Sequence, residues 1–297
     1  MRYLLLPAVI LLLLSCTHKQ LPGIVLQTDF GVKDGAVAEM KGVIFETSPA
    51  VRVFDLTHEI PPYNIRAASY RLQQTAPYWP PGTIFVSVVD PGVGTLRKPV
   101  VMKTLTGHYF VSPDNGSLTE VAQKMGIAQV RQINETLNRR PGSEASYTFH
   151  GRDIFAYTAA KLAAGKISFE EVGPELPGGV IMLLYQQPVY DKGTITGNIP
   201  VLDPQYGNIW TNIDTSVFKK LQVNYNDTLE VKITHNNSLV YAANLPYLRA
   251  FGEAGEENAL VYINSLMNVA LAINMGNLSE KYKIGSGTNW NITLKKH

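Results

Sequence analysis

Thr83-Ile84-Phe85-Val86-Ser87-Val88-Val89-Asp90-Pro91-Gly92-Val93-Gly94-Thr95-Leu96-Arg97 is the stretch that decides the fold. Its first seven residues are β-branched or aromatic apart from one serine, which reads as a strand. Asp-Pro-Gly then supplies turn chemistry, so the strand runs straight into a polar loop. Upstream, Ile24 to Thr28 is a second short apolar run that stops at Asp29-Phe30-Gly31, again strand into loop. Asp34 can cap a helix to about Glu46, with Val37, Met40, Lys41 and Ile44 at helical spacing. Val51 to Leu56 reads as a strand and Asn64 to Thr75 as a helix. Downstream, Val100–Thr104 and Tyr109–Val111 form a hairpin, Ser117 to Met125 a helix, and Ile154 to Ala164 another. Strands alternating with helices predict an α/β domain with a mostly parallel sheet over residues 23–176.

The pattern changes at Gly173-Pro174-Glu175-Leu176-Pro177-Gly178-Gly179, where proline and glycine cluster. Residues 177–187 read as a linker. Beyond it β-rich runs dominate (Gly193–Leu202, Thr228–Thr234, Ser238–Ala243, Asn258–Asn264, Asn268–Asn274, Trp290–Leu294), and only Thr215 to Leu221 looks helical. This predicts a smaller all-β C-terminal barrel, or a sandwich, over residues 188–297.

At 297 residues, 45% hydrophobic and 17% charged, the chain has material for two domains with real cores. A formal net charge of +2 without a basic run argues against nucleic-acid binding. Residues 1–22 read as a lipoprotein signal and tether. Tyr3 to Leu14 is continuously apolar, yet shorter than the ~20 residues a membrane-spanning helix needs. It ends in Leu13-Leu14-Ser15-Cys16, which resembles a bacterial lipobox. Cys16, the single cysteine of the chain, is then the lipidated residue. The expectation is a lipid-anchored protein of the bacterial cell envelope, on its periplasmic or outer face, with no internal disulfide.

Chemistry collects in three loops of the first domain. They carry Asp29, then Asp90 with Arg97, then His150 in Thr148-Phe149-His150-Gly151-Arg152-Asp153. In open α/β sheets, ligands gather beyond the carboxyl ends of strands. A carboxylate, a guanidinium and an imidazole can together orient and activate a water. In the second domain, Asp203, Tyr206 and Asn208 lie in Leu202-Asp203-Pro204-Gln205-Tyr206-Gly207-Asn208-Ile209-Trp210-Thr211-Asn212-Ile213. Tyr206 could stack on a flat heterocycle, Asn208 could bond its edge, and Asp203 could pair with an ammonium. Ser265, at the end of a strand, could hold a carboxylate. The six histidines are scattered without metal-ligand spacing, so no metal is expected. Gly92-Val93-Gly94 lacks the third glycine of a dinucleotide loop, and no phosphate loop or serine elbow is present.

Five motifs taken together resemble the S-adenosylmethionine hydroxide adenosyltransferases, relatives of the S-adenosylmethionine-dependent fluorinases and chlorinases. They are Thr28-Asp29-Phe30-Gly31, Asp90-Pro91-Gly92-Val93-Gly94-Thr95, Pro113-Asp114-Asn115-Gly116, Phe149-His150-Gly151-Arg152-Asp153 and Tyr206-Gly207-Asn208-Ile209-Trp210-Thr211-Asn212. The resemblance implies a homotrimer with the substrate between the first domain of one subunit and the second domain of its neighbour. It implies attack of a hydroxide-level nucleophile on ribose C5′ of S-adenosylmethionine, which is substrate rather than cofactor; no cofactor is implied. The family's Asp-Arg-His set falls on Asp90, Arg97 and His150, and its ribose-binding aspartate on Asp29. By the same resemblance Phe149, Tyr206 and Asn208 surround adenine or the sugar, and Tyr63 sits near the reacting carbon. Asp203 holds the methionine ammonium and Ser265 its carboxylate.

His150 could accept the proton from water, with Arg97 keeping the imidazole neutral by charge repulsion. The halogenases carry a tyrosine where this chain has His150 and a serine where it has Gly151. Their extra loop has little room in Thr106-Gly107-His108. These departures favour water over halide, whereas Leu202 to Ile213 with Trp210 resembles the halogenase version. Two alternatives remain open from sequence: a halogenase, and an envelope lipoprotein that binds adenosine-like ligands without turnover.

Overall fold

The computed structural model describes residues 21–297. Cys16, expected to carry a lipid, and the expected signal segment lie outside the described residues. Among the described residues no helix is long and apolar enough to cross a membrane.

The first half is a six-stranded sheet. Its strands are β1 (Ile24–Thr28), β2 (Val53–Thr57), β3 (Ile84–Val88), β4 (Pro99–Thr104), β5 (Tyr109–Pro113) and β6 (Ile127–Gln132), in the order β2-β1-β3-β5-β4-β6. β2, β1, β3 and β5 are parallel, and β4 is antiparallel to both of its neighbours. Helices cover both faces, which is why β1 and β3 are apolar at nearly every position. Ile24, Leu26, Val86 and Val88 pack toward α1 (Ala36–Thr47) through Met40 and Ile44. Val25 and Phe85 point the other way, toward Leu72 of α2 (Ile65–Thr75) and Val121 of α3 (Thr119–Met125).

Asn64 caps α2, whereas Gly35 holds the N-cap position of α1 and Asp34, expected as its cap, stands one residue before it. Asn64 Oδ1 accepts from Ala67 N at 2.9 Å, and Asp34 Oδ1 from Ala36 N at 3.0 Å. Lys41 leaves the core and pairs with Asp55 at 2.7 Å. From β1 the chain goes out to β2 on one side and returns as β3 on the other, so the strand order reverses between β1 and β3. A crevice opens at the carboxyl ends of two strands placed this way.

The helix expected from Ile154 begins earlier and differently. Gly151–Ala156 is wound as a π-helix that continues into an α-helical stretch, Tyr157–Ala163. Ala156, Ala159, Ala160 and Ala163 pack flat on the β1/β3 face. Residues 177–187, expected as a linker, run along the first half: Asp114 Oδ1 accepts from Ile181 N at 2.7 Å and Thr119 Oγ1 from Leu183 N at 2.8 Å.

The C-terminal half corrects one expectation. Instead of a closed barrel it is a sandwich of two open antiparallel sheets. One contains Val201–Leu202, Ile209–Asp214, Ala259–Ile263 and Asn268–Ile273. The other contains Val189–Asp191, Thr194–Ile199, Thr228–His235, Ser238–Pro246 and Gly287–Lys296. Pro200 interrupts the chain between Ile199 and Val201. With no N–H to extend the ladder, the strand leaves one sheet and enters the other, and each sheet ends at an edge. Ile195, Ile209, Ile213, Val231, Leu271 and Ile292 fill the space between them. On its outer face Trp210 packs against α2, 6.3 Å from Tyr70 between ring centres.

Candidate active site

Asp29 and Asp90 stand one residue or two beyond the carboxyl ends of β1 and β3, where the register pairs Thr28 with Val88. They flank a cleft of about 310 Å³, lined also by Phe30, Tyr63, Val93, Phe149, His150 and Gly151. The Asp90 loop is held at several points. Val93 N donates to Asp90 O at 3.2 Å, Thr95 N to Gly92 O at 3.0 Å, and Gly94 takes a φ of +75° that favours glycine. Asn115 Nδ2 donates to Val89 O at 2.9 Å and so pins the strand end just before Asp90.

The three residues expected to act together converge. Arg97 Nε donates to both carboxylate oxygens of Asp90 at 3.0 Å each, and its Nη2 to Oδ2 at 2.6 Å. The same Nη2 donates to His150 Nδ1 at 2.8 Å. Arg97 also lies over the Phe155 ring, 5.2 Å from its centre. Both partners of the ion pair are buried, with side-chain exposures of 8% for Arg97 and 5% for Asp90. Burial, then the Arg97 and Arg139 guanidiniums, hold the His150 imidazole below its usual range, while Glu135 and Asp90 pull the other way.

Asp29 Oδ2 accepts from Tyr63 N at 2.8 Å, and Tyr63 itself has a φ of 65° with its ring exposed. Phe30 and Phe149 meet edge to face at 5.7 Å. Gly151 is the residue both rings close upon: a Cβ there would lie 3.2 Å from Phe149 and 3.3 Å from Phe30.

Asp203, Tyr206, Asn208 and Ser265 are not brought to this cleft within the chain. Asp203 knits its own turn, accepting from Gln205 N at 3.0 Å, Tyr206 N at 3.2 Å and Asn208 Nδ2 at 3.3 Å. Tyr206 and Ser265 are exposed, and the Ser265 carbonyl accepts from Tyr78 OH at 3.5 Å. Among the described residues no three His, Cys, Asp or Glu side chains gather as a metal site would require.

Two residues beside the site were missed from sequence. Arg139 Nη2 lies 3.4 Å from His150 Nε2 and pairs with Glu135 at 2.9 Å. The Glu135/Arg139 spacing of four was the available signal, and it is common on any helix.

Models of the SAM hydroxide adenosyltransferase N-terminal and C-terminal domains match residues 24–173 and 197–291. The chain belongs to the SAM hydroxide adenosyltransferase family. A relative named (R)-S-adenosyl-L-methionine hydrolase, from Methanocaldococcus jannaschii, is 35% identical over 248 residues, covering 82% of this chain and 84% of its own. A fluorinase from Actinopolyspora mzabensis is 27% identical over 299 residues, covering 92% and 97%. Among solved structures, an uncharacterized conserved protein from Thermotoga maritima superposes with a TM-score of 0.85 at 36% identity, covering 92% of this chain and all of that one. The family likeness therefore spans both halves, including the segments that carry Asp203 and Ser265.

Proposed function

We propose that this protein hydrolyses S-adenosyl-L-methionine to adenosine and L-methionine. The observation that carries the reading is the buried Asp90–Arg97–His150 set at the strand-order reversal, beside Asp29. The family and the hydrolase names of its relatives agree with it.

A sulfonium is already a good leaving group, so the missing ingredient is a placed nucleophile. Water held at Asp90 attacks C5′. The C5′–O bond forms as the C5′–S bond breaks, the electron pair goes to sulfur to give the neutral thioether of methionine, and the water proton passes to the site and on to solvent. Asp29 takes the ribose hydroxyls, Phe149 packs on the adenosine, and Tyr63 lies beside the reacting carbon. No metal or cofactor enters this scheme.

The turn carrying Asp203, Tyr206 and Asn208, and the one carrying Ser265, meet the adenine, ammonium and carboxylate when supplied by a neighbouring subunit. This is why we assign the protein a homotrimeric assembly with sites at subunit seams. Lipidation at Cys16 would hold that assembly at the cell envelope.

A second reading, halogenation, draws on the fluorinase relatives and on the Trp210 segment. Against it stand His150 and Gly151, whose position between two aromatic rings leaves little space for a serine. The test is incubation of the purified chain with S-adenosyl-L-methionine, in the presence and absence of chloride or fluoride, followed by chromatography. Adenosine and methionine in equal amounts are expected. A 5′-halo nucleoside would move the protein to the second reading, and saturable binding with no product would leave a binding protein.

A further inference from the structure

His58 lies behind the loop that carries Asp29 and is buried, with a side-chain exposure of 4%. Its ring bridges two groups: Nε2 meets Asp55 Oδ1 at 3.0 Å, and Nδ1 meets Thr28 Oγ1 at 2.9 Å. Partial burial raises the Asp55 carboxyl, but the Lys41 ammonium at 2.7 Å and His58 outweigh it and hold the group below its usual range. An ionised carboxylate only accepts, so the Asp55 contact needs a proton on Nε2. The fully buried Thr28 hydroxyl meets Phe30 N at 3.2 Å and His58 Nδ1. Phe30 N can only donate, which directs the hydroxyl proton to Nδ1. The neutral ring protonated on Nε2 satisfies every member of this chain. A second proton, on Nδ1, would take from the buried hydroxyl its acceptor.

The chain of bonds ends at Asp29. By accepting from Phe30 N, Thr28 Oγ1 closes a short turn with Asp29 at its centre. The His58 segment holds the same loop at further points. Gly31 N donates to His58 O at 2.8 Å, and Ile60 N to Thr28 O at 3.4 Å. Further along, Tyr63 N donates to Asp29 Oδ2 at 2.8 Å. Phe30, whose N–H is the last link, carries the ring that meets Phe149.

We infer that His58 is a positioning residue for the ribose end of the substrate: through the Thr28 hydroxyl it fixes the turn that presents Asp29, while Asp55 and Lys41 anchor its ring from behind. This deepens the proposed hydrolysis and rests on its assignment of Asp29 to the ribose hydroxyls. His58 does not line the cleft and touches no reacting atom. A ribose held by Asp29 is held in the bound substrate and in the transition state alike. The contribution of His58 is therefore to binding, and it reads in KM and not in kcat.

The test compares His58→Gln, His58→Asn, Thr28→Val and Thr28→Ser in the full-length protein. Both histidine variants lose the ring and share its packing loss, but they keep different hydrogen bonds. The asparagine oxygen stands near the place of Nδ1 and can accept from Thr28. The glutamine nitrogen stands near the place of Nε2 and keeps only Asp55. His58→Gln and Thr28→Val should raise KM for S-adenosyl-L-methionine about tenfold, with kcat within about threefold of the parent. His58→Asn and Thr28→Ser should recover most of that loss. Calorimetry with adenosine as the probe should give the same order without turnover. Nitrogen-15 NMR of the wild-type ring at pH 8 should find the proton on Nε2. A melting curve checks that each variant folds, and should His58→Gln fail to fold, the Thr28 pair makes the same comparison.

Equal KM values for His58→Gln and His58→Asn, raised or not, would leave the ring as packing alone and overturn the inference. So would a wild-type proton on Nδ1, or a loss confined to kcat. A protein that shows the Nε2 proton and the expected order of adenosine affinities, yet releases no adenosine from S-adenosyl-L-methionine, overturns the proposed hydrolysis instead.

Discussion

Asp90→Asn removes a charge and leaves the shape, so it tests the site with little else disturbed. The native carboxylate accepts three bonds from Arg97, at 3.0, 3.0 and 2.6 Å, with both side chains buried. An asparagine retains one carbonyl acceptor, and its amide must face solvent in the cleft or oppose an Arg97 donor. Removing one partner of a buried pair typically costs ~3–5 kcal/mol, and the retained carbonyl places this variant at roughly 2–3 kcal/mol. For a chain of this size that lowers the melting temperature by roughly 5–10 °C. Activity should suffer far more. In the proposed hydrolysis the water loses the carboxylate that holds it, a role worth about 10²–10⁴ in rate, and Arg97 loses the anchor that aligns it. Adenosine release at saturating substrate, measured at 25 °C and well below the melt, reads the chemical loss apart from the stability loss. A variant that melts lower yet turns over within about threefold of the parent would refute the assignment of Asp90.

Gly151→Ser should press on Phe149 and Phe30, whose rings lie 3.2 and 3.3 Å from the new Cβ. We expect kcat/KM to fall about ten- to a hundredfold with little change in melting temperature, and product analysis with chloride should show no chloro nucleoside. Glu120 lines a second cleft between the halves, and burial pushes its carboxyl up to about 7 against the pull of Arg66. A carboxyl raised in the folded state makes stability fall as pH climbs from about 4.5 to 7. Glu120→Gln should therefore raise the melting temperature at pH 8 more than at pH 5, and an equal change at both pH values would show that the desolvation argument fails. Gly207 has a φ of +64°, and a Cβ there would collide with Asn277 Oδ1 at 1.7 Å. Gly207→Ala should cost about 2–3 kcal/mol in a thermal melt and loosen the Asn208 turn, whereas an unchanged melt would mean the turn is not as tight as described.

The first half was legible because its signals are local. β1, β3 and the Asn64 cap follow from short apolar runs and one side-chain oxygen, and the loops bearing Asp29, Asp90 and His150 fall where a parallel sheet collects ligands. Ile127–Gln132 was missed because it is a half-polar strand at the sheet margin, paired with β4 on one side and bridged to Glu175 on the other, so no buried face marked it. Ile209–Asp214 was read as a polar segment between strands. Its buried residues Ile209, Thr211 and Ile213 alternate as a strand's should, but Asn208, Trp210 and Asn212 drew the reading toward a binding loop. Barrel and sandwich could not be told apart in advance, because closure depends on whether the edge strands Ser238–Pro246, Val189–Asp191, Ala259–Ile263 and Val201–Leu202 find partners, which no local pattern encodes. Within the site, the meeting of Asp90, Arg97 and His150 was expected. The Arg139 contact on the opposite edge of the ring was not, because it depends on how a loop folds back over 11 residues.

The π-helical winding at Gly151–Ala156 makes the aim of His150 a matter of phase. Each residue of an α-helix advances the chain by about 100°, and a π-turn holds one residue more than its α counterpart. Deleting a single residue between Arg152 and Ala156 would relax the turn to α. The alanine face of the following helix, locked on the sheet, would keep its place, so the whole offset would fall on the upstream side and swing the imidazole away from Arg97 by roughly a quarter-turn. Along this short interval the length of the chain, as much as the identity of its residues, is bound to the chemistry, and a gap there in any aligned relative marks a protein whose histidine points somewhere else.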